Sequence, residues 1–356
     1  RIMKILDLYI GRVIASTTLM TLTVFVSISG IIKFVEQIRA VGRGNYDLSH
    51  AALYVLYATP RDVEIFFPMS ALIGGLIGIG MLASHSELIV MQAAGLSRLD
   101  IIKSVMKAAA VLVILSMAVG EWLAPQGEAA AREIRAQAIS GGSLISSKSG
   151  VWAKDGDYFV HISEVADTGT LKQVQIYRFD NSLKLKSWSA ASKATYQDDA
   201  WLLHDVKNTE INDMAFTTEI AETQLWRSTL TPEKLGVVTV KPEALSIQGL
   251  VEYLEYLKSN DQDPSRYELA FWRKVVQPFT VGVMLLLALS FIFGPLRSMS
   301  MGARIVMGVA TGIVFYLVNQ VAGSISLVYQ LPPVLGAILP SIIFVSVAVF
   351  YLNKRA

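Results

Sequence analysis

The chain has 356 residues, 53% of them hydrophobic and only 17% charged, and a mean hydropathy of +0.47, the profile of an integral membrane protein with a sizeable soluble part. A net charge of +2 gives no global attraction to nucleic acid, so any electrostatic role falls to local clusters. The absence of cysteine excludes disulfides, thiolate metal sites and cysteine nucleophiles, and leaves the redox compartment open.

A bilayer core of ~30 Å takes about 20 apolar residues of helix. Val13–Ile32 carries no charge and predicts a first span, too long for a signal-peptide core and therefore retained. Ile65–Ser84 predicts a second, and Ala108–Ala124 a third, extended by Ile101–Lys107, whose lysines can snorkel. After a long insert, Val275–Leu296 predicts a fourth, stopped by Gly294-Pro295 in "FGPLRS". Ile305–Asn353 is free of charge and about twice a bilayer width, so it folds back at Pro332-Pro333 as spans five and six.

The insert reads as strands. "VWAKDGDYFVHISEV" has an Asp155-Gly156 turn followed by alternation that puts Tyr158, Val160 and Ile162 on one face, and "VQIYRF" and "LKLKSW" alternate too. "ALSIQGLVEYLEYLKSN" then predicts an amphipathic helix capped by Ser246, with Leu250, Leu254 and Leu257 in a stripe. The expected fold is a polytopic α-helical membrane protein with six transmembrane helices and an inserted all-β, jelly-roll-like domain. Residues 1–127 hold spans one to three, 128–262 the β domain with its trailing helix, and 263–356 spans four to six.

With both termini inside, the inner flanks hold Arg12, Arg98, Lys103, Lys107, Arg297, Arg304, Lys354 and Arg355, and the outer flanks Lys33, Arg39, Arg43, Arg61, Arg132, Arg135, Arg273 and Lys274. This near tie against the positive-inside rule means that one set serves something other than topology. The short terminal segments and the folded insert favour cytoplasmic termini and a periplasmic β domain.

No P-loop and no H-E-x-x-H motif occurs, and the four histidines are isolated, so no catalytic residue, metal site or bound cofactor is expected in this chain. The centres of spans one, two, four, five and six lack ionisable residues, which argues against an ion-coupled transporter. Two constellations remain. In "GIIKFVEQIRAVGR" (30–43), Lys33 ends span one and Arg39 and Arg43 follow; Arg132 and Arg135 in "AAAREIRAQ" come just after span three. A rim of cations above an apolar cavity suits an amphiphile with anionic head groups, whereas singly such residues do no more than anchor helix ends. The second is "SELIVMQAAGLS" (86–97), on the side of the termini. As a helix it puts Glu87, Met91 and Ala94 on one face and is apolar nearly all round, without the basic face of an interfacial helix, so another protein is its expected cover.

"LSHAALYVLYATPRDVEIFFPMSALIGGLIGIGMLASHSELIVMQAAG", "GEWLAPQGE", "KLGVV" and "LSFIFGPLRS" closely resemble the permeases of the lipopolysaccharide export system, the LptF/LptG family, over essentially the whole chain. "SGIIKFVEQIR" and "GEWLAPQGE" resemble its LptG branch more than its LptF branch. The resemblance implies a Gram-negative inner-membrane subunit without catalysis of its own. It implies an LptF-type permease as heterodimer partner, two copies of an LptB-type ATPase that bind ATP and Mg, and an LptC-type single-span protein. The complex would extract lipopolysaccharide from the outer leaflet of the inner membrane and pass it to a periplasmic bridge. By the same resemblance, 86–97 is the coupling helix, with Glu87, Met91, Ala94 and Gly95 at the ATPase. Lys33 faces the lipid phosphates, with Arg39, Arg132 and Arg135 as companions. Spans one and five form a lateral gate, the β domain stacks edge to edge with similar folds, and Phe66, Phe67 and Phe315 are candidate acyl-chain contacts. The competing reading is a membrane-anchored assembly or receptor protein that binds periplasmic partners without transport.

Overall fold

The computed structural model describes residues 2–140, 145–167, 169–180, 182, 184–212, 215–232, 234–235, 241–294 and 299–353. Among the described residues, six helices are long and apolar enough to cross a membrane: Ile5–Ile38, Leu48–Ser84, Arg98–Ile139, Ser265–Phe293, Met301–Val328 and Pro333–Asn353. The chain divides into two compact units, Arg1–Val35 with Tyr57–Glu128 and Ser265–Ala356, and Glu36–Leu56 with Ala129–Pro264.

The first unit is helical. It draws on α1 (Ile2–Ile38), α2 (Leu48–Ser84), the short α3 (Glu87–Ala93) and α4 (Arg98–Ala118), the last continuing through a π-turn (Val119–Leu123) into α5 (Ala124–Ser140). The π-turn has a local cause. Pro125 has no N–H for the carbonyl of Glu121 and its ring crowds that carbonyl, so the ladder widens and Ala124 N–H donates to Val119 O. The three helices after the insert alternate in direction; here they are α7 (Ser265–Phe293), α8 (Met301–Val328) and α9 (Pro333–Asn353), α6 being the amphipathic helix of the second unit. α7 ends at Phe293, where the sequence predicted a stop; residues 295–298 of "FGPLRS" lie outside the described residues, as do 236–240 of the insert and 354–356.

The helical core is one continuous apolar cluster in which Ile10 and Ile14 of α1 meet Leu72 and Leu76 of α2, Ile101 and Val105 of α4, Leu285 and Ala288 of α7, and Phe344 of α9. Lipid is as apolar as these side chains, so close packing rather than hydrophobicity holds such helices together. Gly74 is the clearest instance: a Cβ there would lie 2.5 Å from Thr18 Cα, and Thr17 Oγ1 donates to Gly74 O at 2.7 Å. α1 and α8 keep broad apolar faces exposed, among them Ile28, Ile31, Ile32 and Val35 on α1 and Ile313, Val314, Leu317 and Val321 on α8.

The second unit contains one six-stranded antiparallel sheet with neighbours in sequence paired throughout: β1 (Ile145–Asp155), β2 (Tyr158–Asp167), β3 (Thr170–Phe179), β4 (Leu185–Gln197), β5 (Ala200–Asn212) and β6 (Ala215–Trp226). The β insert is therefore a meander, a single sheet among the described residues. The predicted Asp155-Gly156 turn closes β1 on β2, with Asp155 opposite Tyr158 and Gly156 at φ +59, the left-handed region a glycine takes without cost. Val160, Ile162, Val174, Trp201 and Val206 are buried. α6 (Ile247–Ser259) carries the expected cap and stripe: Ser246 Oγ accepts from Gly249 N at 3.0 Å, and Leu250, Leu254 and Leu257 are buried. Its end is tied to the β1–β2 turn, because Tyr256 donates to Lys154 O at 2.6 Å and Gly156 N to Asn260 Oδ1 at 2.7 Å. Burial, with Asp155 nearby, pushes the Tyr256 phenol up, so it stays a donor.

Candidate functional site

Polar chemistry in the helical unit gathers at the two ends of its apolar stretches. At one end, Lys33 directly follows the uncharged Val13–Ile32, Arg61, Asp62 and Glu64 directly precede Ile65–Ser84, and Arg273 and Lys274 directly precede Val275–Leu296. Because α1 runs opposite to α2 and α7, these positions meet in one layer. Lys33 Nζ bonds Asp62 Oδ1 at 2.7 Å; the lysine side chain is 27% exposed and the aspartate 5%. Glu64 takes two cations, Arg61 Nη1 at 2.5 Å and Lys274 Nζ at 3.1 Å, with both Glu64 and Lys274 almost wholly buried. The backbone is used as well: Gln277 Nε2 donates to Glu64 O at 2.7 Å and Arg273 Nη2 to Asn319 O at 2.5 Å. Glu64 packs on the π-turn, where a Cβ on Gly120 would lie 3.0 Å from its Oε1. Buried charges this close must be paired to be tolerated, and each carboxylate here straps α2 to a different helix, Asp62 to α1 and Glu64 to α7.

The other end uses hydrogen bonds more than ion pairs. Arg304 of α8 is buried and donates through Nη1 to Gly80 O at 2.9 Å and Ser84 Oγ at 3.3 Å, at the C-terminal turn of α2 where a cation is favoured. Asp7 accepts from Lys107 Nζ at 2.5 Å and from Ser104 Oγ. Tyr9 donates to Glu87 Oε2 at 2.8 Å.

Glu87 opens α3, and α3 is shorter than the stretch 86–97 that the sequence marked out. Ser86 in the left-handed region (φ 62) starts it, Ala94 caps it, Gly95 at φ +94 turns the chain away, and Ser97 with Asp100 forms the capping box that begins α4. Leu88 and Met91 are buried in the helical core, while Ile89 and Val90 are 58% and 64% exposed. Met91 is thus an anchor of the helix, and the exposed apolar pair comes from the turn between.

The remaining cations expected at the lipid site lie in the second unit. Arg39 is exposed on the loop after α1, and Arg132 and Arg135 are half-buried on α5. Asn45 N donates to Ala138 O at 2.8 Å, which holds that loop to the helix carrying the two arginines. Tyr46 is buried and donates to Gln37 Oε1 at 3.0 Å; burial pushes its phenol up, against the opposing pull of Arg135. Of the aromatic candidates, Phe67 is 1% exposed within the core, Phe66 stacks on Phe25 at 5.7 Å, and Phe315 meets Phe344 edge-on at 5.0 Å. Asp62, Glu64 and Tyr9 were missed by reading the sequence for cations and motifs, and Arg304 was read only as an inner-flank cation. For the two carboxylates the signal is the coincidence of opposite charges at matching ends of antiparallel spans, which shows only when the flanks of different spans are compared.

Among the described residues, six apolar helices, a charged layer at one end of three of them, a short helix between the second and third, and an inserted antiparallel sheet define a polytopic helical membrane protein with a β domain. Residues 8–354 match the family described as "Lipopolysaccharide export system permease LptF/LptG". The chain is 49% identical over 355 residues to "Lipopolysaccharide export system permease protein LptG" of Escherichia coli strain K12, covering 99% of each. It is 48% identical over 354 residues to the protein of that name in Haemophilus influenzae, covering 98% of each. The chain belongs to the LptF/LptG family of lipopolysaccharide export permeases.

Proposed function

We propose that this chain is a permease half of an ATP-driven exporter in the Gram-negative inner membrane, and that it extracts lipopolysaccharide from the outer leaflet and passes it to a periplasmic bridge. The observation that carries the reading is Lys33: a partly exposed cation at the end of a helix whose flanking Ile31, Ile32 and Val35 are exposed. A charged group capping an apolar face matches a phosphorylated head group above acyl chains. Arg39, Arg132 and Arg135 supply further cations on the second unit, and Phe66 and Phe315 apolar surface on the first; Phe67 is buried in the core behind them.

Both termini are then cytoplasmic and the sheet periplasmic. The exposed faces of α1 and α8 form lateral surfaces for an LptF-type permease and an LptC-type single span. The outer edges of β1 and β6, and the exposed Phe216 and Ile220 of β6, support edge-to-edge stacking with similar folds. α3, pinned by Leu88 and Met91, offers Glu87, Ile89, Val90 and the turn at Ala94 and Gly95 to one of two LptB-type ATPase copies. ATP and Mg bind there, and this chain performs no catalysis.

Gentle purification of the tagged chain from its native membrane, followed by mass spectrometry, tests the reading. It requires a soluble ATPase, a second six-span permease and lipopolysaccharide in the same particle. A chain that arrives alone, or with periplasmic proteins only, supports the anchor reading and overturns this one.

A further inference from the structure

We propose that Asp62 is the exchangeable counter-ion of Lys33, holding the lysine between loads and yielding it to a phosphate of the anionic lipid. The inference rests on the export reading and adds to it a reason why the lipid can be let go.

The pair is asymmetric. Asp62 is 5% exposed and Lys33 27%, with 2.7 Å between them, so an incoming phosphate reaches the lysine and not the aspartate. Phosphate and Asp62 are both anions and compete for one ammonium. Taking Lys33 away leaves Asp62 buried with its charge uncompensated, which disfavours the loaded state. Arg61 and Lys274 both bind Glu64, and Glu121 acts on Lys274, so Lys33, Arg61 and Lys274 face Asp62, Glu64 and Glu121. Since Glu64 already holds Arg61 and Lys274, the yielding pair is Lys33 with Asp62. A lone lysine would bind phosphate more tightly and release it more slowly; the resident carboxylate sets the affinity low enough for turnover.

The test is lipid release from the purified exporter complex, loaded with lipopolysaccharide or with its chemically dephosphorylated form. Asp62→Asn is expected to slow release of lipopolysaccharide roughly tenfold, the effect of relieving about 1.4 kcal/mol. It is expected to leave the dephosphorylated form unchanged, and to have no effect in a Lys33→Ala background. Release at the wild-type rate, or an equal change without Lys33, overturns the assignment. A second measurement needs no variant. A carbodiimide joins a carboxylate to a contacting amine, so the wild-type complex should yield a Lys33–Asp62 amide, and loading with lipopolysaccharide should suppress it severalfold. A yield unaffected by loading also overturns the assignment. A wild-type complex that binds no lipopolysaccharide overturns the export reading itself, and the counter-ion assignment with it; normal binding with unmoved variants overturns only the assignment.

Discussion

The two polar ends of the helical unit are built differently. At the end carrying Lys33, charge is paired with charge inside the packing, and Glu64 holds two cations among buried groups. At the end carrying Glu87, the Asp7–Lys107 pair is accompanied by contacts of charge with neutral groups: a tyrosine hydroxyl, a serine, a backbone carbonyl at the end of a helix. A buried ion pair is costly to open because each partner left behind is an uncompensated charge, whereas a bond between a carboxylate and a phenol at the surface exchanges readily with water or with another protein. The first arrangement suits a layer that holds helices in register while the partly exposed Lys33 meets ligand. The second suits a surface that must be free to take a partner.

That contrast predicts a ranking. Glu64→Ala leaves Arg61 and Lys274 buried together without their shared carboxylate and is expected to cost about 3–5 kcal/mol, read as a large fall in thermal midpoint of the detergent-solubilised chain. A midpoint near the wild-type value would show that the layer does not hold the helices. Arg304→Leu removes charge-assisted bonds to the end of α2 and is expected to cost about 1.5–3 kcal/mol, with faster hydrogen exchange over 81–97. If exchange there is unaltered, Arg304 does not secure that end. Ile89→Asp and Val90→Asp change exposed side chains and should leave stability within about 0.5 kcal/mol. Each should nevertheless strip the ATPase from the purified complex, and retention of the ATPase would remove α3 from that contact. Tyr9→Phe is the mildest: the midpoint should hold, while Glu87, released from its intramolecular partner, binds the ATPase at least as well. Weaker association in that variant would mean that Tyr9 orients Glu87 for docking.

The sequence made the spans legible because uncharged runs of bilayer length have one economical solution, and the family blocks extended that reading over the whole chain. α6 was legible to its cap, since Ser246 and the leucine stripe obey local rules. What the sequence concealed was pairwise. Nothing local shows that Asp62 meets Lys33 or that Tyr9 meets Glu87, because each bond joins segments brought together only by helix direction. Met91 shows the same limit. Its place on the same helical face as Glu87 was correctly periodic, yet the neighbouring helices rather than the periodicity decided that it is covered and that Ile89 and Val90 are not. The meander, too, follows from which strands pair, which alternation alone does not specify.

The most direct test places a photo-crosslinking amino acid at Ile32, beside Lys33 on the exposed face of α1, in cells making the full exporter. The account predicts a lipopolysaccharide adduct there that Lys33→Glu sharply reduces. An adduct of undiminished yield in that variant, or none in the wild-type background, would contradict it.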